Sequence, residues 1–436
     1  MQAKKSQDKG KGVAMKIPYV KRMNEKLKSF RAENLHQIIK KCTNGEFDNF
    51  RKFVKVGLQR ADFKCPSEQV SLFEKVGNKL FYYTVSGKIY FSQGNTLTEV
   101  KDLILYNPPI VIEIIHNGKR KPLILSETGW GYVVEDDGTS STYTVPIGEF
   151  ACVYKHMLFV ADGNILNFSA VGDYTDFTMD LNHGGMIKTD LSDGKIIALI
   201  EQDGKLVIFT NRAVYEFIAT GERLDYTLER VGEFNFNNVL SKTVKNCCGK
   251  IIFIDGNQML CYENKKITKI EDVSYLTEYS VQNFAGTNKN TYYFVANDSD
   301  NNYKILRYDI SSKNHCVIDG KDNTLSVCDG GYVYSGNGLV FNMVSDVFPD
   351  TVVTFDSIDF DLGTAREKVL HVISFFSLED GEMVIQSENG SRKFAIKKGA
   401  NLIRVNIPTK IFKLIFSGKA NFTVSQIKIE YRIKEK

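Results

Sequence analysis

An all-β protein is what this sequence predicts: a β-propeller of six or seven blades, a C-terminal β-sandwich, and a short basic, partly helical N-terminal arm. Three observations predict it: a strand-favouring composition, a repeat whose length suits propeller blades, and a break in that repeat after Pro349. Aromatic residues make up 12% of the 436, with 29 Phe and 21 Tyr against a single Trp. Such side chains, with Val, Ile and Thr, fit pleated and half-buried surfaces. Eight prolines are few for so many turns, so 33 glycines and abundant Asn and Asp supply them.

The repeat begins after Pro66. Val70–Glu74, Lys79–Thr84 and Lys88–Ser92 are separated by Val76-Gly77-Asn78 and Ser86-Gly87, and short Gly-containing gaps between β-rich runs are hairpin signals. Similar units start near Val111, Ala151, Ile196, Thr243, Val281 and Leu325, at successive steps of 41, 40, 45, 47, 38 and 44 residues. A four-stranded blade needs about that length, and it must stack on neighbours to bury both faces. The propeller is therefore expected over residues 66–349. Beyond it, residues 350–436 read as about seven strands. In the last, Val424, Ile427, Ile429 and Tyr431 include an alternation with Lys428, Glu430 and Arg432, as in a sheet wet on one face.

The arm, residues 1–65, differs in charge and in period. Met1 to Lys64 holds 17 Lys+Arg and 6 Asp+Glu, a net of +11, while the remainder carries 39 against 46. Leu27, Phe30, Leu35, Ile38, Ile39, Phe47, Phe50 and Phe53 recur at three- and four-residue steps, which predicts one or two amphipathic helices between Met23 and Phe53. Such an arm either packs on the body or docks on a neighbouring subunit or on DNA phosphates.

Sequence motifs for chemistry are sparse, and the expectation is a protein that is not an enzyme. There is no phosphate-binding Gly-rich loop, no G-x-S-x-G and no H-E-x-x-H. Cys42, Cys65, Cys152, Cys247, Cys248, Cys261, Cys316 and Cys328 form no C-x-x-C pair and have no His at zinc-ligand spacing, so they read as core thiols. Cys247 and Cys248 are expected on opposite faces of a strand. His36, His116, His156, His183, His315 and His371 are scattered. Asp298-Ser299-Asp300-Asn301-Asn302 opens like a calcium loop, but Tyr303 replaces the turn Gly and Asp309 stands where a bidentate Glu is wanted. Asp173 with Asp176 imitates a glycosidase pair, yet both suit tight turns. No catalytic, cofactor-binding or metal-binding residue is therefore assigned, and no cofactor. No apolar run follows the basic start, and none approaches the twenty or so residues of a membrane helix, so no secretory signal and no membrane insertion are expected.

One passage is more specific than the period. Tyr154 to Thr178 contains Met157-Leu158-Phe159-Val160-Ala161-Asp162-Gly163-Asn164, then Asn167-Phe168-Ser169-Ala170-Val171-Gly172-Asp173, then Asp176-Phe177-Thr178. It resembles the tail hub, nozzle and packaged-DNA stabilisation proteins of short-tailed bacteriophages. Leu206 to Glu216 resembles the next blade of that family, and Phe360-Asp361-Leu362-Gly363 with Lys368 the start of its C-terminal β-domain. His156-Met157 departs from it, since Arg often precedes the first Leu there. The resemblance implies a structural virion protein of the tail, assembled in the host cytoplasm. It would form a ring of identical subunits, six being favoured, that docks on portal, adaptor and other tail proteins. Double-stranded DNA would pass through the lumen without sequence-specific binding. The alternatives are a non-viral propeller that binds a protein or glycan, and a propeller hydrolase. From the residues of the phrase itself, Phe168, Val171 and Phe177 are expected to pack between blades, Gly172 to make a turn, and Asp173 and Asp176 to bond backbone N–H groups.

Overall fold

A computed structural model describes residues 28–34, 39–47, 53–180, 183–219, 226–234, 236, 238–320, 324–345, 352–419 and 422–434. Among them the regular structure is β, with short 3-10 turns and no α-helix. The chain divides into two compact units, residues 40–354 and residues 1–39 with 355–436.

The larger unit is a series of antiparallel sheets of four strands, consistent with propeller blades. Their first strands are Val70–Val76, Ile110–His116, Phe150–Tyr154, Ile196–Gln202, Lys245–Cys247, Ser280–Asn288 and Thr324–Cys328, opening sheets 1 to 7 in that order. All seven lie within two residues of the starts read from the sequence. Each first strand touches the first strand of the next sheet, and that of sheet 7 touches that of sheet 1. Both faces of each sheet are thus covered, which explains why the second strands are unbroken apolar runs: Lys79–Thr84 is buried at every position, and Met157–Asp162 at all but the last. The core lies in wedges between sheets. Leu72 and Phe81 meet Val111 and Ile124; Leu123 and Val133 meet Leu158 and Val160; Phe209 meets Phe253 and Tyr262.

Sheet 7 corrects the expectation for the arm. Its fourth strand is Phe53–Arg60, which pairs antiparallel with Leu339–Ser345 from Phe341↔Arg60 to Ser345↔Val56. Leu58 and Ala61 are buried, and Ala61 packs with Tyr334 of the same sheet and with Phe73 and Tyr82 of sheet 1. Lys28–Asn34 pairs with Val424–Ile433 of the smaller unit, Ile39–Thr43 lies parallel to His315–Asp319, and Gly45–Phe47 pairs with Phe53–Arg60. No helix occurs here among the described residues. Phe30, Ile39, Phe47 and Phe53 fall in four different strands, so their helical spacing is a by-product. Leu27, Leu35, Ile38 and Phe50 lie outside the described residues. The available ladders decide, because tertiary pairing outweighs a weak local propensity.

A buried polar group ends the second strand of several sheets. Thr84 Oγ1 bonds the N–H and C=O of Lys88, Ser126 Oγ those of Trp130, and Thr210 Oγ1 those of Ala213. Each hydroxyl closes the turn into the third strand by bonding both backbone groups of one residue there. Between sheets 3 and 4 the lock is ionic. Asp193, its side chain 4% exposed, accepts Arg230 Nε at 2.7 Å and Nη2 at 2.6 Å and also the Tyr215 hydroxyl. The Arg230 bond holds the Asp193 carboxyl below its ordinary range. A depressed carboxylate contributes stability that is complete above the unfolded-state value, about 3.9, and is lost as pH falls through the folded value. Acid melts of Asp193→Asn should therefore show a shallower loss of melting temperature below about pH 4 than the parent chain.

The smaller unit consists of two four-stranded groups. One runs Lys28–Asn34, Val424–Ile433, Lys368–Ser377, Gly399–Thr409, and the other Val353–Ser357, Phe412–Gly418, Gly381–Ser387, Gly390–Ile396. They face each other through buried Ile373, Phe375, Ile385, Leu414, Phe416 and Ile429, with the Phe375 and Phe416 rings 5.4 Å apart. Phe360 stacks on Phe412 at 5.2 Å and meets Phe30 edge-on. Lys368 is fully buried, its Nζ donating to the carbonyls of Thr364 and Lys410.

Candidate functional site: the axial channel

The first strands of sheets 1 to 6, with Asp329 just after that of sheet 7, line a cavity of about 490 Å³ that also includes Pro108, Glu149 and Ser241. A recess of about 150 Å³ adjoins it, and Glu74, Lys242, Lys245 and Asp329 line both. The wall is two-sided. Sheets 2 to 4 contribute Ile110, Val111, Ala151, Ala198 and Ile200, with Glu149 and Glu201 among them, whereas sheets 1, 5 and 7 contribute Glu74, Lys242, Lys245 and Asp329. They arise where a first strand or its approach carries a charge beside apolar neighbours, as in Leu72-Phe73-Glu74 and Val327-Cys328-Asp329.

Lys245 Nζ lies 3.5 Å from Asp329 Oδ2, and Asp329 Oδ1 accepts the Thr287 N–H at 2.7 Å and its hydroxyl at 3.1 Å. Burial pushes the Glu74 carboxyl up, and the nearby Lys245 and Lys242 only partly offset it. Burial works against the Lys245 ammonium too, but Asp329 and Glu74 outweigh it and its affinity for the proton rises. Lys242 Nζ sits over the Phe284 ring at 5.6 Å. Near one mouth, Lys195 bridges to Glu149 at 3.0 Å.

The residues singled out in the sequence lie elsewhere. The Tyr154–Thr178 phrase builds sheet 3 and its loop. Ser169 Oγ accepts the Leu158 N–H at 2.9 Å and donates to the Ala170 carbonyl at 3.0 Å. Asp173 and Asp176 accept the N–H groups of Thr175 and Thr178, and Gly172, at φ +82°, donates to His156 O. Phe168 and Tyr174 are buried and Phe177 packs on the wedge between sheets 2 and 3, but Val171 is 63% exposed, a correction forced by the turn at Gly172. Ser169→Ala should cost about 1–3 kcal/mol in denaturant unfolding, because it orphans a buried N–H, with the circular dichroism unchanged.

The histidines stay apart. His116 meets the Tyr143 hydroxyl, His183 meets Asp180 and Asp176, His315 meets the Lys40 carbonyl, and His371 meets Asn406. His156 occupies a left-handed turn position, and His36 lies outside the described residues. Asp298 accepts the N–H groups of Asp300 and Asn302 in a hairpin tip. Cys42, Cys247, Cys261, Cys316 and Cys328 are buried free thiols. Cys248, by contrast, turns out at φ +52°, and both it and Cys247 reach the Lys289 carbonyl instead of opposite faces. No group of three or more His, Cys, Asp or Glu is placed to hold a metal among the described residues. Nor is any described helix long and apolar enough to cross a membrane.

No protein-family model matches the chain, and no curated protein does. Among solved structures it is similar to PorZ, described as an essential bacterial surface component of the type-IX secretion system of Porphyromonas gingivalis. Identity is 10% and the TM-score 0.42, over 77% of this chain and 46% of that one. The chain thus spans less than half of PorZ, and at that score the likeness carries no argument about function.

Proposed function

We propose that this chain is a structural docking protein, a seven-bladed β-propeller with a β-sandwich, and that its setting is the tail ring of a short-tailed phage. The observation that carries the reading is how the Tyr154–Thr178 phrase is used. Phe168 and Tyr174 fill wedges, and Ser169 and the two aspartates tie backbone groups. A phrase spent wholly on shape suits a subunit selected to build an assembly.

The docking surface fits that reading. Val85, Ile104, Tyr106, Trp130, Ile147 and Leu191 are large, apolar and exposed, Tyr106 by 90%. All lie in or beside loops joining second to third strands or one sheet to the next, and in an antiparallel meander these loops share one end. Apolar residues gathered on one end mark an interaction surface. In a tail ring this face would meet a neighbouring subunit, portal or adaptor protein. The DNA would run between copies and not through one propeller, since a cavity of about 490 Å³ suits a small ligand.

The second reading is a propeller that works as a single copy and binds a protein or glycan. It is favoured by a ring of blades that closes within one chain and needs no neighbour for its edges. Cryo-electron microscopy of tails, with native mass spectrometry of the purified chain, separates the two. The tail reading expects a closed ring of five or more copies, most simply six, around the DNA path. Absence from particles together with a monomeric mass would leave the single-copy binder.

A further inference from the structure

We propose that the axial channel binds a small zwitterion with an apolar flank, of which an apolar α-amino acid is the simplest case. Unmatched groups of opposite sign line the recess, Glu74 on one side and Lys242 with Lys75 on the other. The Glu74 carboxylate makes no hydrogen bond or ion pair with any described residue, and Lys242 Nζ has an aromatic ring beneath it but no carboxylate within ion-pair reach. Lysine stems are long and flexible. Were stability the only demand, Lys242 would swing onto Glu74 and close the gap, because a partly desolvated charge without a partner is costly. Instead the recess stays open between them. Beside it, Asp329 keeps Oδ2 toward Lys245 at 3.5 Å while Thr287 fixes Oδ1. This fixes Asp329 against Lys245 and leaves Glu74 without an ion-pair partner among the described residues.

The chemistry of the wall selects the ligand. A simple anion would satisfy Lys242 and leave Glu74 more exposed to like charge; a simple cation would do the reverse. A molecule bearing an ammonium and a carboxylate a few bonds apart satisfies both, the ammonium toward Glu74 and Asp329, the carboxylate toward Lys242 and Lys245. The recess of about 150 Å³ has room for such a head group, an apolar void of roughly that size being enough for benzene. The remaining volume opens onto Val111, Ala151, Ala198 and Ile200, an aliphatic surface that would receive a hydrocarbon side chain. The site is independent of whether the chain assembles into rings.

The test uses the full chain and three probes: L-leucine, N-acetyl-L-leucine, which lacks the ammonium, and L-leucinamide, which lacks the carboxylate. Calorimetric titration near neutral pH and low salt should show leucine binding at least about tenfold tighter than either analogue, one factor of ten being a modest loss for one charged contact. Glu74→Gln should erase the preference over N-acetyl-leucine, and Lys242→Met the preference over leucinamide. Neither side chain makes a hydrogen bond to a described residue, so both variants should melt like the parent. If a variant fails to fold, the three-probe comparison on the parent chain still decides. Equal affinity for all three probes, or no heat with leucine at millimolar concentration, would mean a channel filled by water alone and overturn the proposal.

Discussion

A chain that starts at Pro66 should lose cooperative melting. Its removal of residues 1–65 looks harmless from composition alone, since the basic arm ends where the blade period begins, and the sequence favours survival of the fold. The ladder from Phe341↔Arg60 to Ser345↔Val56 reverses that expectation. Without residues 1–65, the outer edge of Leu339–Ser345 is left unpaired, buried Leu58 is lost, and Ala61 leaves the wedge that holds Phe73, Tyr82 and Tyr334. The truncated chain also lacks Lys28–Asn34 against Val424–Ile433. The combined loss, the strand that closes sheet 7 and an edge strand of the smaller unit, is of order 5 kcal/mol or more, comparable with the whole stability of many domains. Thermal scans by circular dichroism should show a broad, low-temperature transition in place of a sharp one. A truncated chain with the parent's sharp melt would show that the closing strand is dispensable.

Phe168→Ala should be the most damaging single substitution in the phrase, at about 3–5 kcal/mol. The ring is 5% exposed and lies 5.9 Å from Phe159, 6.3 Å from Phe217 and 5.8 Å from Tyr226, so it joins sheet 3 to sheet 4. Its cross-strand partner is Gly185. A Cβ there would come within 2.6 Å of Phe168 Cζ, so the glycine is what gives the ring its place. Removing the ring leaves a cavity that neighbouring sheets, each pinned by its own ladder, cannot collapse to fill. Urea unfolding followed by tyrosine fluorescence would read the difference. A loss under about 1 kcal/mol would show that the aromatic cluster is redundant.

The strands of the larger unit were legible because each sheet buries both faces and so writes its second strand as an apolar run between turn residues. Lys79–Thr84, Met157–Asp162 and Lys205–Thr210 mark this plainly. Invisible was the route by which the ends of the unit meet. Nothing in Phe53-Val54-Lys55-Val56-Gly57-Leu58 names Leu339–Ser345 as its neighbour, since pairing across so many residues is decided by which edge remains open. The channel was equally hidden: Glu74 and Asp329 each look like one charge at a strand end, and only closure of the ring brings them to one cavity. Thr84, Ser126 and Thr210 are 42 and then 84 residues apart, a hydroxyl in phase with the blades.

The closing strand also sets an order of events during synthesis. Phe53–Arg60 leaves the ribosome early, but Leu339, where its partner strand begins, follows Arg60 by 279 residues. At about 5–20 residues per second, that interval is roughly 15–60 s. Throughout it a nascent chain presents a strand with one edge open, followed by a growing row of sheets whose last exposed face has no cover. The six earlier sheets can form by local hairpins as they emerge, so the delay falls on the final seam alone. Whatever shields that strand in the interval, a chaperone or a neighbouring nascent chain, competes with closure, and exchange of the strand between two growing copies is the error this topology invites.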